Sequence, residues 1–227
     1  GFAGTTPLPA KQWTDGYLVI QQQAILRYIS EQQLDKPVVI GHSLGGYLAL
    51  ALAATAPDQI SGAINVDGLP ALGALFAQSR AGQHSAPAGN AGATDKPSQP
   101  QRGNFDPMSM AKSMASNEQW QQRIVADMYR SDGATSGRVM GELMRADLRP
   151  ELANIRVPVL TLGALRHGAP YSTPEQVQKN YEDQLANAPT QYHSFAFARD
   201  SKHFIMADAP QWLNQQIRQY LTKHHQG

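Results

Sequence analysis

The sequence predicts an α/β fold: a mostly parallel sheet with helices on both faces, interrupted once by a helical stretch. Three observations carry this reading. Short apolar runs recur at Pro37-Val38-Val39-Ile40, at Ile64-Asn65-Val66, at Val157-Pro158-Val159-Leu160-Thr161-Leu162-Gly163 and from Thr190 to Phe197. Segments with a helical stripe of apolar residues separate them, and strand–helix alternation is the pattern of a parallel sheet. The alternation fails only between Ala71 and Pro150. At 227 residues, 41% hydrophobic and 16% charged, the chain can bury one substantial core without a second domain.

Taken in order, the chain starts on a glycine-rich turn, Gly1-Phe2-Ala3-Gly4, and a first helix marked by Leu18, Ile25, Leu26 and Ile29. The apolar run ending at Ile40 then feeds Gly41-His42-Ser43-Leu44-Gly45-Gly46, and an Ala/Leu-rich helix from Gly45 to Ala56 is ended by Pro57-Asp58. A strand, a serine flanked by glycines and a helix make a nucleophile elbow, which lifts the serine hydroxyl above the sheet. Gly41 and Gly45 are expected where strand and helix pass closely, and Gly46 where the helix packs on the sheet. The helix N-terminus favours negative charge developing beside Ser43, and the backbone N–H of Leu44 is the expected oxyanion donor.

The next strand delivers Asp67-Gly68 to the carboxyl end of the sheet, the layer where ligand-handling groups sit. From Arg80 to Asn104 the chain is rich in Ala, Gly, Ser, Pro and Gln, a composition that predicts a mobile loop. Trp120, Ile124 and Met128, then Val139, Met140, Leu143 and Met144, predict two amphipathic helices. Their methionines suit either a pliable acyl pocket or plain helix packing. Val177, Tyr181 and Leu185 mark a further helix. Asp208-Ala209-Pro210 is read as opening the closing helix, with Leu213, Ile217, Tyr220 and Leu221 inward.

The elbow G-H-S-L-G-G resembles the α/β-hydrolase superfamily, in its serine esterase-like members, and the resemblance runs through the chain with a poorly matching middle. It implies the α/β-hydrolase fold, with core segments 1–70 and 151–227 and a cap or lid insertion at 71–150. It also implies a Ser–acid–His triad in that chain order. Gly1 to Gly4 then reads as the turn after the fourth strand. The first four strands and the loop giving the other oxyanion donor, on the order of 60 residues, are expected upstream.

Within this resemblance His203, in Asp200-Ser201-Lys202-His203-Phe204 between the last strand and the closing helix, holds the position of the catalytic base. His42 is expected to point into the sheet. His193 is read as mid-strand, His84 lies in the mobile loop, and His224 and His225 are in the tail. Many family members carry the acid after the strand ending at Gly163, but Ala164-Leu165-Arg166-His167-Gly168-Ala169-Pro170 has no carboxylate. Glu175 belongs to a helix start. Other members carry the acid one strand earlier, where Asp67 stands. The competing reading of Asp67 is a turn residue bonded to its own backbone, and Asp200 is the reserve acid.

These residues point to hydrolysis of a carboxylic ester or related small acyl substrate through an acyl-enzyme. Acyl transfer or carbon–carbon cleavage by the same triad, and a non-catalytic ligand-binding module, are the alternatives. No cofactor or metal is expected, because the glycines surround a serine rather than a phosphate cradle and the histidines lack metal-ligand spacing. A net charge of +1, with no Lys or Arg run longer than two, gives no reason to expect nucleic acid or acidic membranes as partners. No apolar run is long enough to span a bilayer. The absence of cysteine excludes disulfides and a thiol nucleophile and leaves the compartment open.

Overall fold

Four strands, β1 (Val38–His42), β2 (Gly62–Val66), β3 (Val159–Ala164) and β4 (His193–Ala198), lie side by side in that order, each pair parallel, in the computed structural model. The structure describes residues 4–7, 9, 12, 16–76, 106–170 and 172–224. The expected mobile loop from Arg80 to Asn104, with His84, lies outside them, as do Gly1 to Ala3 and His225. Ile40 pairs with Ile64, Ile64 with Leu160 and Leu160 with Ser194. β1, which carries the elbow, is the outermost described strand on its side, and Ile40 on it is 47% exposed.

Parallel neighbours need a crossover, and helices supply each one. Helix α1 (Tyr17–Glu31) precedes β1, and α2 (Leu44–Thr55) joins β1 to β2. Between β2 and β3 come α3 (Pro107–Met114), α4 (Glu118–Arg130), α5 (Gly133–Arg145) and a 3₁₀ turn, Glu151–Asn154. Helix α6 (Pro174–Gln184) joins β3 to β4, and α7 (Ile205–Asp208) and α8 (Pro210–His224) follow. The period-two alternation of the strands divides the core. Ala63 and Val159 face α1, α2 and α6, while Ile64, Leu160 and Leu162 face α8 with Leu213 and Tyr220.

The last two strands start later than their apolar runs suggest. Pro158 has no N–H to give a ladder, and its carbonyl instead accepts from Ala63 N and Tyr220 Oη. Tyr192 N and His193 N both bond to Pro189 O, so this stretch is a turn and His193 is the first residue of β4 rather than mid-strand.

The two amphipathic helices expected between β2 and β3 are α4 and α5. A third, α3, escaped the sequence reading because its apolar stripe is short. Its marks were local: Asp106 accepts from Met108 N at 3.0 Å, with Pro107 in the first turn. Helix α5 is tied to α1, since Glu142 accepts from Tyr17 N (2.6 Å) and Leu18 N (3.0 Å), two N–H groups that a helix start leaves unpaired.

Asp208 does not cap the closing helix. Its carboxylate accepts from Ser116 N (2.8 Å) and Lys202 N (2.9 Å), joining the α3–α4 connection to the loop after β4.

Two of the three elbow glycines are where close packing demands them. A Cβ on Gly41 would strike the carbonyl oxygen of Gly45, and one on Gly46 would strike Asn65 Oδ1. Gly45 is the exception: a Cβ there faces open space, because its backbone, not its side-chain position, meets Gly41. Gly41→Ala is therefore expected to lower the free energy of unfolding by about 1–3 kcal/mol through overpacking. Gly45→Ala should cost nothing and gain up to about 1 kcal/mol from helix propensity. Urea melts of the two variants check the contrast.

Candidate active site

Ser43 stands between β1 and α2 with φ 56° and ψ −116°, a left-handed backbone that a non-glycine residue adopts only when its surroundings impose it. Here they do. Ser43 N donates to Val66 O (2.9 Å), Tyr47 N donates to Ser43 O (3.0 Å), and Gly41 leaves room for the turn. Leu44 is the first residue of α2, so its N–H has no carbonyl four residues back.

Asp67 follows β2, also at positive φ (53°), with its N–H on Leu162 O at 2.8 Å. The turn is closed by Asn65, not by Asp67. Asn65 Oδ1 accepts from Gly68 N and Asn65 Nδ2 donates to Gly68 O, both at 2.9 Å. That arrangement disposes of the turn-residue reading, for the Asp67 carboxylate is left to partners far away in sequence. Oδ1 accepts from Ala164 N and Tyr181 Oη, each at 2.6 Å. Oδ2 faces His203 Nδ1 at 2.6 Å and His167 Nδ1 at 3.0 Å. The Asp67 side chain is entirely buried.

His203, 8% exposed, is fixed from both sides of its loop. Its carbonyl accepts from His42 Nε2 (2.9 Å) and Ile205 N (3.1 Å), and Phe204 N donates to Met114 O (2.9 Å). Ser43 and His203 line one cleft of about 500 Å³, walled by Met114, Trp120, Ile124, Met128 and Phe204. Among the described residues no hydrogen bond joins Ser43 to His203, a link that in such sites often tightens only with substrate bound.

Comparisons with known proteins bear on the family and the fold. A comparison with curated protein sequences finds no match. The family model described as "Alpha/beta hydrolase family" matches residues 1–216. The chain belongs to the alpha/beta hydrolase family. Among solved structures, this hydrolase is similar to Est816, described as an N-acyl homoserine lactone degrading enzyme, at 15% identity and TM-score 0.67, over 96% of this chain and 79% of that one. It is similar to a thermophilic esterase from Thermogutta terrifontis at 18% identity and TM-score 0.65, over 99% and 78%. It is also similar to an enol-lactonase from Burkholderia xenovorans at 15% identity and TM-score 0.62, over 90% and 73%. At these identities the likeness establishes the fold.

The hydrolase brings Asp67 and His203 into contact and places Ser43 in the cleft that His203 lines, with Leu44 next in the chain. Asp200, the reserve acid, is exposed. His224 packs against Tyr220, and His193 Nε2 lies 2.9 Å from Thr161 Oγ1. His42 departs from expectation: rather than pointing into the sheet it lines the cleft, its ring centroid 4.6 Å from that of His203. Its Nε2 bond to His203 O at 2.9 Å and its edge contact with Phe204 hold the ring there. Of the methionines singled out in sequence, Met128 lines the cleft, whereas Met140 is 47% exposed.

His167 and Tyr181 were not foreseen as site residues. The loop after β3 has no carboxylate, and it holds an imidazole, that of His167. Tyr181 looked like one more apolar residue of a helical stripe.

Burial opposes ionisation of Asp67, but the bonds from His167 and His203 outweigh it and hold the carboxyl well below its ordinary range. Burial also disfavours a charge on His167, yet the Asp67 carboxylate overcomes this and raises its pKa. Tyr181 is pushed well above its usual value, first by burial and then by the Asp67 charge, so it remains a donor. Asp67, His167 and His203 are also the one described trio of donors close enough to consider for a metal. Their N···O spacings of 2.6 and 3.0 Å suit shared protons better than tetrahedral zinc ligands, which lie about 3.3 Å apart.

Burial, with repulsion from His203, lowers His42 to about 4, and burial lowers His193 to about 4. Both imidazoles stay neutral in the folded protein while the unfolded chain takes up protons below an ordinary value near 6.5. Their contribution to stability is thus complete above about pH 6.5 and is lost as pH falls towards 4, by up to about 3 kcal/mol each. Urea midpoints measured across that window should fall with pH, and His193→Gln, away from the cleft, should flatten the slope.

Proposed function

We propose that this hydrolase cleaves a carboxylic ester or related small acyl compound through an acyl-enzyme on Ser43. The observation that carries the reading is that His203, held at 2.6 Å by buried Asp67, lines the same cleft as Ser43. An ionised Asp67 only accepts, so His203 donates from Nδ1 and leaves Nε2 free to take a proton.

In this reading Ser43 Oγ attacks the acyl carbon as its proton passes to His203 Nε2, and the carbonyl oxygen becomes an oxyanion. Leu44 N–H and the start of α2 stabilise that charge. The imidazolium, supported by Asp67, gives its proton to the departing alkoxide, which leaves as the alcohol. Water then enters. It gives a proton to His203 Nε2 and its hydroxide to the acyl carbon, and the Ser43 oxygen leaves and regains that proton as the acid is released. The stretch 71–150 acts as the cap, since Met114, Trp120, Ile124 and Met128 supply an apolar wall suited to the hydrocarbon part of a substrate. The lactonase and esterase names among the similar structures support carbonyl–oxygen cleavage, because a lactone is a cyclic ester.

A fluorophosphonate probe and a panel of small esters test the proposal. Ser43→Ala should abolish labelling and cut kcat by about four to six orders of magnitude. Asp67→Asn should cut kcat by about four orders of magnitude while leaving Ser43 in place. Equal labelling of the native protein and Ser43→Ala would overturn the reading.

A further inference from the structure

We propose that His167 is a positioning residue that shares the triad's carboxylate with His203, so that the site works at full rate only while the His167 ring is neutral. The inference rests on the Ser43–His203–Asp67 reading and deepens it. Its basis is geometric. A single oxygen, Asp67 Oδ2, faces two imidazole Nδ1 atoms, at 2.6 Å for His203 and 3.0 Å for His167, and the two rings lie 4.8 Å apart between centroids. The other oxygen is occupied by Ala164 N and Tyr181 Oη, so the carboxylate cannot turn to serve one histidine alone.

The two rings face different surroundings. His203 lines the cleft with Ser43, whereas His167 lines a separate apolar cavity of about 430 Å³ with Leu72, Val177 and Tyr181. The His167 side chain is 41% exposed, so protons reach it from solvent without passing the substrate. The groups that face it are Asp67 after β2, His203 after β4, Tyr181 on α6 and, through its charge coupling, His42 on β1. Its chain neighbour Arg166 is exposed.

With both rings neutral, each donates Nδ1–H to Oδ2 and the full carboxylate charge supports a proton arriving on His203. A proton on His167 Nε2 changes that. The cation sits beside Oδ2, cancels the charge that stabilises the His203 imidazolium, and repels it directly. At an effective dielectric of about 20, unit charges this far apart oppose double protonation by on the order of a hundredfold or more. The pair therefore titrates as a unit in two steps. Burial disfavours the His167 cation, and the Asp67 carboxylate overcomes this and raises the ring's pKa.

The test is the acid limb of kcat/KM for an ester in the native enzyme and in His167→Gln, which keeps an N–H donor. The native limb should fall in two steps, with a shoulder on the order of a hundredfold below the plateau. His167→Gln should fall in one step. A single native step, or a shoulder that survives in His167→Gln, would overturn the proposal. NMR titration of the His167 and His203 rings in the native protein reads the coupling without activity and without the variant. Two-step curves for both rings are expected, and two independent one-step curves would overturn it. Ser43→Ala separates the failures, because retained activity there sinks the triad reading, whereas lost activity with uncoupled rings sinks the His167 proposal alone.

Discussion

A fully buried carboxylate must be satisfied at every lone pair or be driven neutral, and the rest of the site follows from how Asp67 meets that demand. Its four donors come from the end of β3, from α6, from the loop after β3 and from the loop after β4. Three of those contacts span 97, 114 and 136 residues of chain. None can form until the second half of the sheet is laid against the first. The acid is thus a structural tie between the halves of the core as well as the partner of His203. Loss of any one donor leaves an acceptor site of the buried carboxylate unsatisfied, which costs more than a hydrogen bond contributes on balance.

The acid turn and the elbow also brace each other. Ser43 and Asp67 are both non-glycine residues at positive φ, and the residue before Asp67 provides the carbonyl that holds the Ser43 N–H. Asn65 closes the acid turn, and its Oδ1 occupies the space a side chain at Gly46 would need. A Cβ on Gly68 would in turn strike Ser43 O and Tyr47 N. Two strained turns interlock here, so neither relaxes without the other, and the serine and the acid are held in register by backbone rather than by side-chain packing.

Much of this was legible in sequence because it rests on local rules. Strand, elbow and helix follow from periodicity around Gly41 to Gly46, whereas His203 and Asp67 stand out only through the order of serine, acid and histidine that the family resemblance implies. What stayed hidden depends on contacts across the chain. Nothing local distinguishes Asn65, a polar residue in an apolar run, as the closure of a turn, or Asp208 as a brace rather than a helix cap. His167 was passed over for the same reason. The loop after β3 lacks a carboxylate, and only the fold shows that its imidazole reaches the one supplied one strand earlier. Gly45 marks the opposite error, a residue given packing significance by its place in a motif when its side-chain position faces open space.

The loop that carries His203 is bonded to α3 and the α3–α4 connection as well as to the sheet it leaves. Phe204 N donates to Met114 O, Lys202 Nζ to Lys112 O at 2.6 Å, and Asp208 receives Ser116 N. Phe204 and Ala207 pack in the same apolar cluster as Ala111, Ala115 and Ile124, and Met114, Trp120 and Met128 complete it. The wall that a substrate would touch and the loop that aims the base are therefore one packed unit. A shift of α3 or α4 to admit a bulkier group would drag the His203 backbone with it, while the ring stays tethered to Asp67 through Nδ1. In the proposed reaction that tether would couple selectivity to rate: a substrate that fits the apolar wall would leave the imidazole aligned, and one that displaces the wall would strain its bond to Asp67.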